Sequence, residues 1–361
     1  MTFCYTYEQG VLSVQQYLKE VARGKRGSKN LTYEETAEVV RLMIDGKVSD
    51  VQIAAYFIAQ RMKMESSDEL LAFVKGFQQN SDKLKLNEVV QDRIIDFAGP
   101  YTGRNTFAAT IPSAILLAEK GIPTFLHSSE SLPPKYGISI KAILTQLGVT
   151  TSQSLEALSE TIHAYQIGFA HTDQFCPSLQ KLRFIREELG VRTLMNTVEK
   201  LLNISNAKSI VMGAFHRSAI INIAPIFAEL SYENVYIVQG VEGSEDLPVH
   251  RNSFIYKISK GDMHSFIVKP KDYDLFEEQP TKEKLTVREQ ADIMTTLLSG
   301  ETGGELTYYY KQLLFNTGIR YYLFGVTTNI EEGIEMTKEQ LKLGTGLDVL
   351  QKWRNIDITF K

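Results

Sequence analysis

The stretch Ile94-Ile-Asp-Phe-Ala-Gly-Pro-Tyr-Thr-Gly-Arg-Asn-Thr-Phe107 decides how this chain of 361 residues is read. A short run, apolar but for Asp96, is followed by a loop with two glycines, and a helical pattern opens near Pro112. Strand, glycine loop and helix is the order of an α/β unit, whose ligands bind beyond the carboxyl end of the strand. The alternation recurs downstream. Ile122-Pro-Thr-Phe-Leu126, Ser209-Ile-Val-Met-Gly213 and Val235-Tyr-Ile-Val238 are separated by long helical stretches, which predicts a mostly parallel sheet with covering helices. Phe254-Ile-Tyr256 and Phe266-Ile-Val268 lie close together and fit an antiparallel extension.

Upstream of Arg93 the texture is helical. Thr32-Tyr-Glu-Glu35 is a capping box, Ser49-Asp-Val-Gln52 and Ser66-Ser-Asp-Glu69 open two more helices, and Asp45-Gly46 closes the first. Val39, Met43, Ile53, Phe57 and Phe73 give these helices more apolar surface than three short helices bury alone, so a second subunit is expected to cover part of it. The segment from Pro177 to Leu202 is helical again.

Composition is that of a globular chain, 43% hydrophobic and 23% charged, with no apolar run near the roughly 18 residues that cross a bilayer. Two cysteines, Cys4 and Cys176, match neither a disulfide framework nor a zinc spacing, and a cytoplasmic location is the expectation. The net charge of −4 weighs against a dedicated nucleic-acid binder, yet Lys19, Arg23, Lys25, Arg26 and Lys29 cluster around the single Glu20. On spacing alone that cluster reads as a solvated loop.

Three predicted strand ends carry polar loops. In Ala98–Phe107, Gly99 and Gly103 permit close backbone approach to an anion, and Arg104 and Asn105 add donors. His127-Ser-Ser-Glu-Ser131 offers hydroxyls and an imidazole. Glu242-Gly-Ser-Glu-Asp246 offers carboxylates that could hold magnesium on a diphosphate. The first alone reads equally well as an ordinary turn and the other two read more readily as polar turns; together they suit a phosphorylated ligand with a metal.

The order of these pieces resembles the anthranilate phosphoribosyltransferase family over nearly the whole chain. The resemblance is carried most specifically by Ile185-Arg-Glu-Glu-Leu-Gly-Val-Arg-Thr193 with Asn196, and further by Lys200-Leu-Leu-Asn203, Gly213-Ala-Phe-His216, Gly240-Val-Glu-Gly243, Asn316-Thr-Gly318 and Glu332-Gly333. It implies a small helical domain (1–88, completed by helices within 175–203) joined to a larger α/β domain (89–361), dimerising through the helical part. It implies magnesium as cofactor and phosphoribosyl pyrophosphate as partner. Carried over onto this sequence, phosphate or substrate would meet Gly99, Thr102, Gly103, Arg104, Asn105, Thr110, His127, Ser128 and Ser129. Glu245 and Asp246 would hold the metal, and Arg186 would face the acceptor.

Departures are concentrated in the loop. The family's Gly-Thr-Gly-Gly-Asp-Gly is here Ala98-Gly-Pro-Tyr-Thr-Gly103, its Asn-x-Ser-Thr becomes Ala108-Ala-Thr-Ile111, and its Lys-His-Gly-Asn becomes Leu126-His-Ser-Ser129. Pro100 removes a donor and Tyr101 adds bulk where phosphate would approach. Anthranilate turnover is therefore expected to be very weak or absent. The losses resemble a divergent branch outside tryptophan synthesis that carries Arg-Gly-Lys at the position of Arg23–Lys25 and has been associated with nucleic-acid binding. A non-catalytic dimer that binds single-stranded nucleic acid is the alternative expectation.

Overall fold

The computed structural model describes residues 14–24, 26–259, 262–281 and 284–356. Four helices open it: α1 (Val14–Val21), α2 (Tyr33–Ile44), α3 (Asp50–Lys63) and α4 (Ser67–Gln79). The last three begin with complete capping boxes, in which Thr32, Ser49 and Ser66 accept from the backbone three residues on while Glu35, Gln52 and Glu69 reach back. Each such cap contributes on the order of 1 kcal/mol. Glu69 does more than cap. Fully buried, it accepts from Leu31 N–H and the Gln60 amide and pairs with Lys63, which ties α3, α4 and the preceding loop together.

The five apolar residues expected to seek a second subunit are covered within the chain. Val39, Met43, Ile53, Phe57 and Phe73 are at most 5% exposed. They share one core with Leu179, Leu182 and Ile185 from the 177–189 helices, with Leu194, Met195 and Val198, and with strand residues Ile210, Val235 and Ile258. A partner is therefore not needed to bury these faces.

Seven strands form one sheet: β1 (Ile95–Ala98), β2 (Thr124–Ser128), β3 (Ile167–His171), β4 (Ser209–Gly213), β5 (Asn234–Val238), β6 (Ser253–Ser259) and β7 (Asp262–Val268). Their order is β3-β2-β1-β4-β5-β6-β7. The first five run parallel, and β6 and β7 add an antiparallel edge. The sequence pattern gives no strand over Ile167-Gly-Phe-Ala-His171, whose glycine and alanine dilute the apolar signal, yet these residues pair with β2 along its length. Strand β2 runs through His127 and Ser128, so both lie inside the sheet rather than in the loop beyond it.

The opposite face of the sheet is covered by the helix Thr110–Glu119, buried on all sides, and by the long helix Thr307–Leu323. The latter crosses helix Ile330–Leu343 at Gly318 and Gly333, where a Cβ on Gly333 would lie 2.3 Å from the Gly318 carbonyl oxygen. That crossing fixes the helix that carries Arg320 over the Phe97 ring at the end of β1. No helix among the described residues is long and apolar enough to cross a membrane.

Overpacking a backbone contact costs about 1–3 kcal/mol. Gly333→Ala is expected to lower stability by that amount in urea unfolding. An unchanged midpoint would contradict the backbone-to-backbone crossing.

Candidate ligand site at the ends of β1, β4 and β5

The sheet reverses its winding between β1 and β4: the chain after β1 goes outward through β2 and β3, then returns to the other side at β4. Such switch points leave a crevice beyond the strand ends. Here the segments after β1, β4 and β5 meet α3 and the 192–200 segment around a cleft of about 230 Å³.

The loop after β1 forms the donor set expected of it, but a residue of the same chain occupies it. Glu242 Oε1 accepts from Asn105 N–H, Thr106 N–H and the Thr106 hydroxyl, each at 2.9 Å. Its other oxygen is held by Lys135. Burial works against this charge, but the Lys135 hydrogen bond prevails and keeps the carboxyl below its ordinary range. A carboxylate thus stands where an incoming anion would use these N–H groups. Glu242 adopts φ 55° to do so, a left-handed conformation uncommon for a side-chain-bearing residue. Gly103, at φ 71°, turns the loop against Gly137, and Thr102 lines the cleft.

Arg104 is 1% exposed and points inward. Its guanidinium binds Glu245 at 2.8 Å and also Asp246. Arg320 reaches Asp246 at 3.2 Å and Thr110 Oγ1 at 3.0 Å. The cluster packs closely on Gly99, where a Cβ would lie 2.8 Å from Arg104 Nη2. Burial and Arg104 act in opposite senses on the two carboxyls. Arg104 prevails at Glu245 and lowers it, whereas at Asp246 burial, aided by the Glu245 charge, raises the group to about 6.

These residues do not fit magnesium as arranged. The ion takes near-octahedral oxygen ligands and retains water. Here both carboxylates are buried and two guanidiniums already sit in contact with them, leaving only Glu245 Oε2 without a hydrogen-bond partner. A divalent cation would be placed against two fixed positive charges. Among the described residues there is no cluster of three or more His, Cys, Asp or Glu side chains able to hold a metal.

The remaining expected residues are also engaged internally. His127 is buried, with Nδ1 against the Tyr101 hydroxyl and Nε2 2.9 Å from Asp96. The bulk of Tyr101 thus turns inward. Ser128 accepts from Lys141 N–H, and the Ser129 hydroxyl donates to the Glu130 carbonyl. Arg186 makes a buried two-pronged pair with Glu199, one arm at 3.0 Å, and is not among the cleft-lining residues. Arg104, Asn105, Glu245 and Asp246 are brought together at one end of the sheet, with Thr110 joined to them through Arg320, while Arg186 and His127 are held apart from the opening by partners of their own.

Different cations face the cleft. Arg61 from the end of α3, Arg192 and Lys200 line it, with Phe215, His216 and Met64 at its rim. Arg192, Lys200 and Phe215 all lie in the motifs that carry the family resemblance, but sequence spacing gave them no role. Arg61 had no local signal at all, because only the packing of α3 brings it there.

In the basic cluster, Lys19, Arg23, Arg26 and Lys29 are exposed at the end of α1 and in the turn after it, and Lys25 lies outside the described residues. Glu20 pairs with both Arg23 and Lys29, which lowers the patch's net positive charge.

Removing one partner of a buried ion pair costs about 3–5 kcal/mol, because the other charge stays buried. Arg104→Ala is expected to lose that much in denaturant unfolding at neutral pH. A loss below about 1 kcal/mol, the worth of an exposed pair, would show that the pair does not hold the site together.

Comparison with known proteins agrees with this architecture. The profile described as "Glycosyl transferase family, a/b domain" matches residues 93–347, and that of the "Glycosyl transferase family, helical bundle domain" matches residues 15–81. The chain is 28% identical to an uncharacterized protein of Aquifex aeolicus, covering 91% of this chain and 98% of that one. It is 25% identical to an anthranilate phosphoribosyltransferase of Persephonella marina, over 94% and 98% of the two chains. The crystal structure of the Thermus thermophilus anthranilate phosphoribosyltransferase superposes with a TM-score of 0.78 at 24% identity, covering 94% of this chain and 98% of that one. The Saccharomyces cerevisiae enzyme in complex with PRPP and Mg gives 0.78 at 18% identity, over 95% and 97%. With the helical bundle and the α/β unit both matched in order, the chain belongs to the anthranilate phosphoribosyltransferase family of glycosyl transferases.

Proposed function

We propose that this chain is a binding descendant of a phosphoribosyltransferase, in which magnesium-assisted transfer to anthranilate is very weak or absent. The observation that supports it is the internal filling of the loop after β1. Glu242 takes the donors a diphosphate would use, and Arg104 takes the carboxylates a metal would use. Pentosyl transfer requires oriented donors on the departing diphosphate and an acceptor nitrogen held in line with the anomeric carbon. Arg186, the residue matched to the acceptor side, is occupied by Glu199.

Each oriented donor lost to transition-state charge costs on the order of 10²–10³ in rate. Calorimetric titration with phosphoribosyl pyrophosphate is expected to show no magnesium-dependent binding, and anthranilate turnover is expected to fall at least about 10³-fold below an ordinary family enzyme assayed beside it. Turnover on a par with that enzyme would end this reading.

The exposed cations after α1 support a second reading, sequence-independent binding of single-stranded nucleic acid. Each neutralised phosphate adds about 0.7 to the slope of log affinity against log salt, so two to four contacts give about −1.4 to −2.8. Because Glu20 already pairs Arg23 and Lys29, the lower end is expected. Fluorescence anisotropy across a salt series should show that slope, and Arg23→Ala with Arg26→Ala should flatten it. No binding at low salt, or an unchanged slope, removes the patch from consideration.

A further inference from the structure

The cations expected to meet a ligand are neutralised inside the protein, but three others are not. Arg61, Arg192 and Lys200 line the cleft, and none of them has a carboxylate within ion-pair distance among the described residues. Their polar contacts are to backbone carbonyls. Arg61 donates to the Arg192 carbonyl oxygen at 2.5 Å, and Lys200 Nζ donates to the Gly213 carbonyl oxygen at 2.7 Å. After burial, the Arg61 charge is the influence that draws Arg192 below its ordinary range, so the two guanidiniums repel each other across the cleft. Converging, unpaired positive charge beside a buried lysine is unfavourable unless an anion joins it.

The carboxylates at the cleft do not supply that anion. Glu242 is saturated by the loop and by Lys135. Glu65, whose carboxyl is held above its ordinary range by burial, makes no ion pair with any of the three cations among the described residues. The rim adds a second feature. Phe215 is 52% exposed with its ring edge-on to His216, and Met64, 68% exposed at φ 68°, also lines the cleft. Leu194, Met212 and Ile223 complete an apolar wall beneath them. An exposed aromatic and a polarizable thioether lining one cleft suit a flat ring.

We propose that this cleft binds a phosphomonoester attached to an aromatic heterocycle, with the chemistry of a nucleoside monophosphate, without a divalent metal. Arg61, Arg192 and Lys200 meet the phosphate, and Phe215 and Met64 cover the ring. The cleft, of about 230 Å³ and open to solvent, can take the phosphate and part of such a ligand. Guanidinium and ammonium donors recognise a terminal phosphate directly, through charge-assisted hydrogen bonds. The inference rests on the reading that the diphosphate loop is filled from within, but its test is separate from the magnesium and turnover assay.

The probes are adenosine 5′-monophosphate, ribose 5-phosphate and adenosine, titrated calorimetrically into the full-length protein in EDTA and again with magnesium. The monophosphate is expected to bind at least about tenfold more tightly than either fragment, with affinity unchanged by magnesium. Arg61→Ala and Phe215→Ala alter exposed side chains, so they leave the fold intact. Arg61→Ala should weaken the nucleotide and ribose 5-phosphate alike by about tenfold, whereas Phe215→Ala should weaken only the nucleotide.

Lys200 gives an independent readout. Burial lowers it to about 8, with Arg192 and Arg104 acting in the same sense and Glu245 and Glu199 against them. The ammonium is charged below that pH and neutral above it, while the phosphate, with a second pKa of about 6, stays dianionic. Affinity is therefore expected to fall as pH rises through about 8, and Lys200→Arg should flatten that fall. No saturable binding up to about 10 mM, a requirement for magnesium, or equal effects of both alanine variants on all three probes would overturn the assignment.

Discussion

The buried cluster of Arg104, Glu245, Asp246 and Arg320 fixes the rest of the site. Two guanidiniums and two carboxylates meet with almost no solvent, and they come from three parts of the chain: the loop after β1, the segment after β5 and the helix Thr307–Leu323. Breaking it would strand charge in a low-dielectric interior, so the three elements hold one relative position. Once Arg104 is committed inward, the loop has no cation to offer a diphosphate, and Gly99 makes room for the guanidinium instead of a ligand.

The same substitution of internal for external partners recurs around the cluster. Glu242 stands in for an anion at the loop N–H groups, Glu199 occupies Arg186, and Asp96 with Tyr101 occupies His127. Each of these groups is satisfied by another residue of the same chain. A site preorganised for charge in an enzyme has its charges aimed at the substrate. Here they are aimed at one another, and the scaffold remains the same.

The unpaired charge has moved to the wall that α3 brings against the sheet. Arg61, Arg192 and Lys200 are positioned by the helical bundle packing onto the strand ends, with Glu69 locking α3 to α4 from behind. The bundle therefore serves the cleft directly as well as filling one half of the core.

Local chemistry determined what the sequence alone could show. The capping boxes at Thr32, Ser49 and Ser66 need only residues three apart, and six of the seven strands announced themselves as apolar runs, with β2 displaced toward His127 and Ser128. Strand β3 escaped because Gly168 and Ala170 weaken the run, and its existence depends on pairing with β2. The gathering of Arg104, Asn105, Glu245 and Asp246 at one end of the sheet was legible from strand-end logic, whereas Thr110 entered only through the family resemblance. Their partners were not, since Arg104 meets Glu245 across 141 positions and Asn105 meets Glu242 across 137. Whether a charged group waits for a ligand or is already satisfied is a matter of which distant residue folding places beside it, and no spacing rule records that. For the same reason Arg61 became a cleft residue only when α3 packed against Arg192, and the apolar face of the bundle found its cover in the chain's own 177–204 segment and sheet.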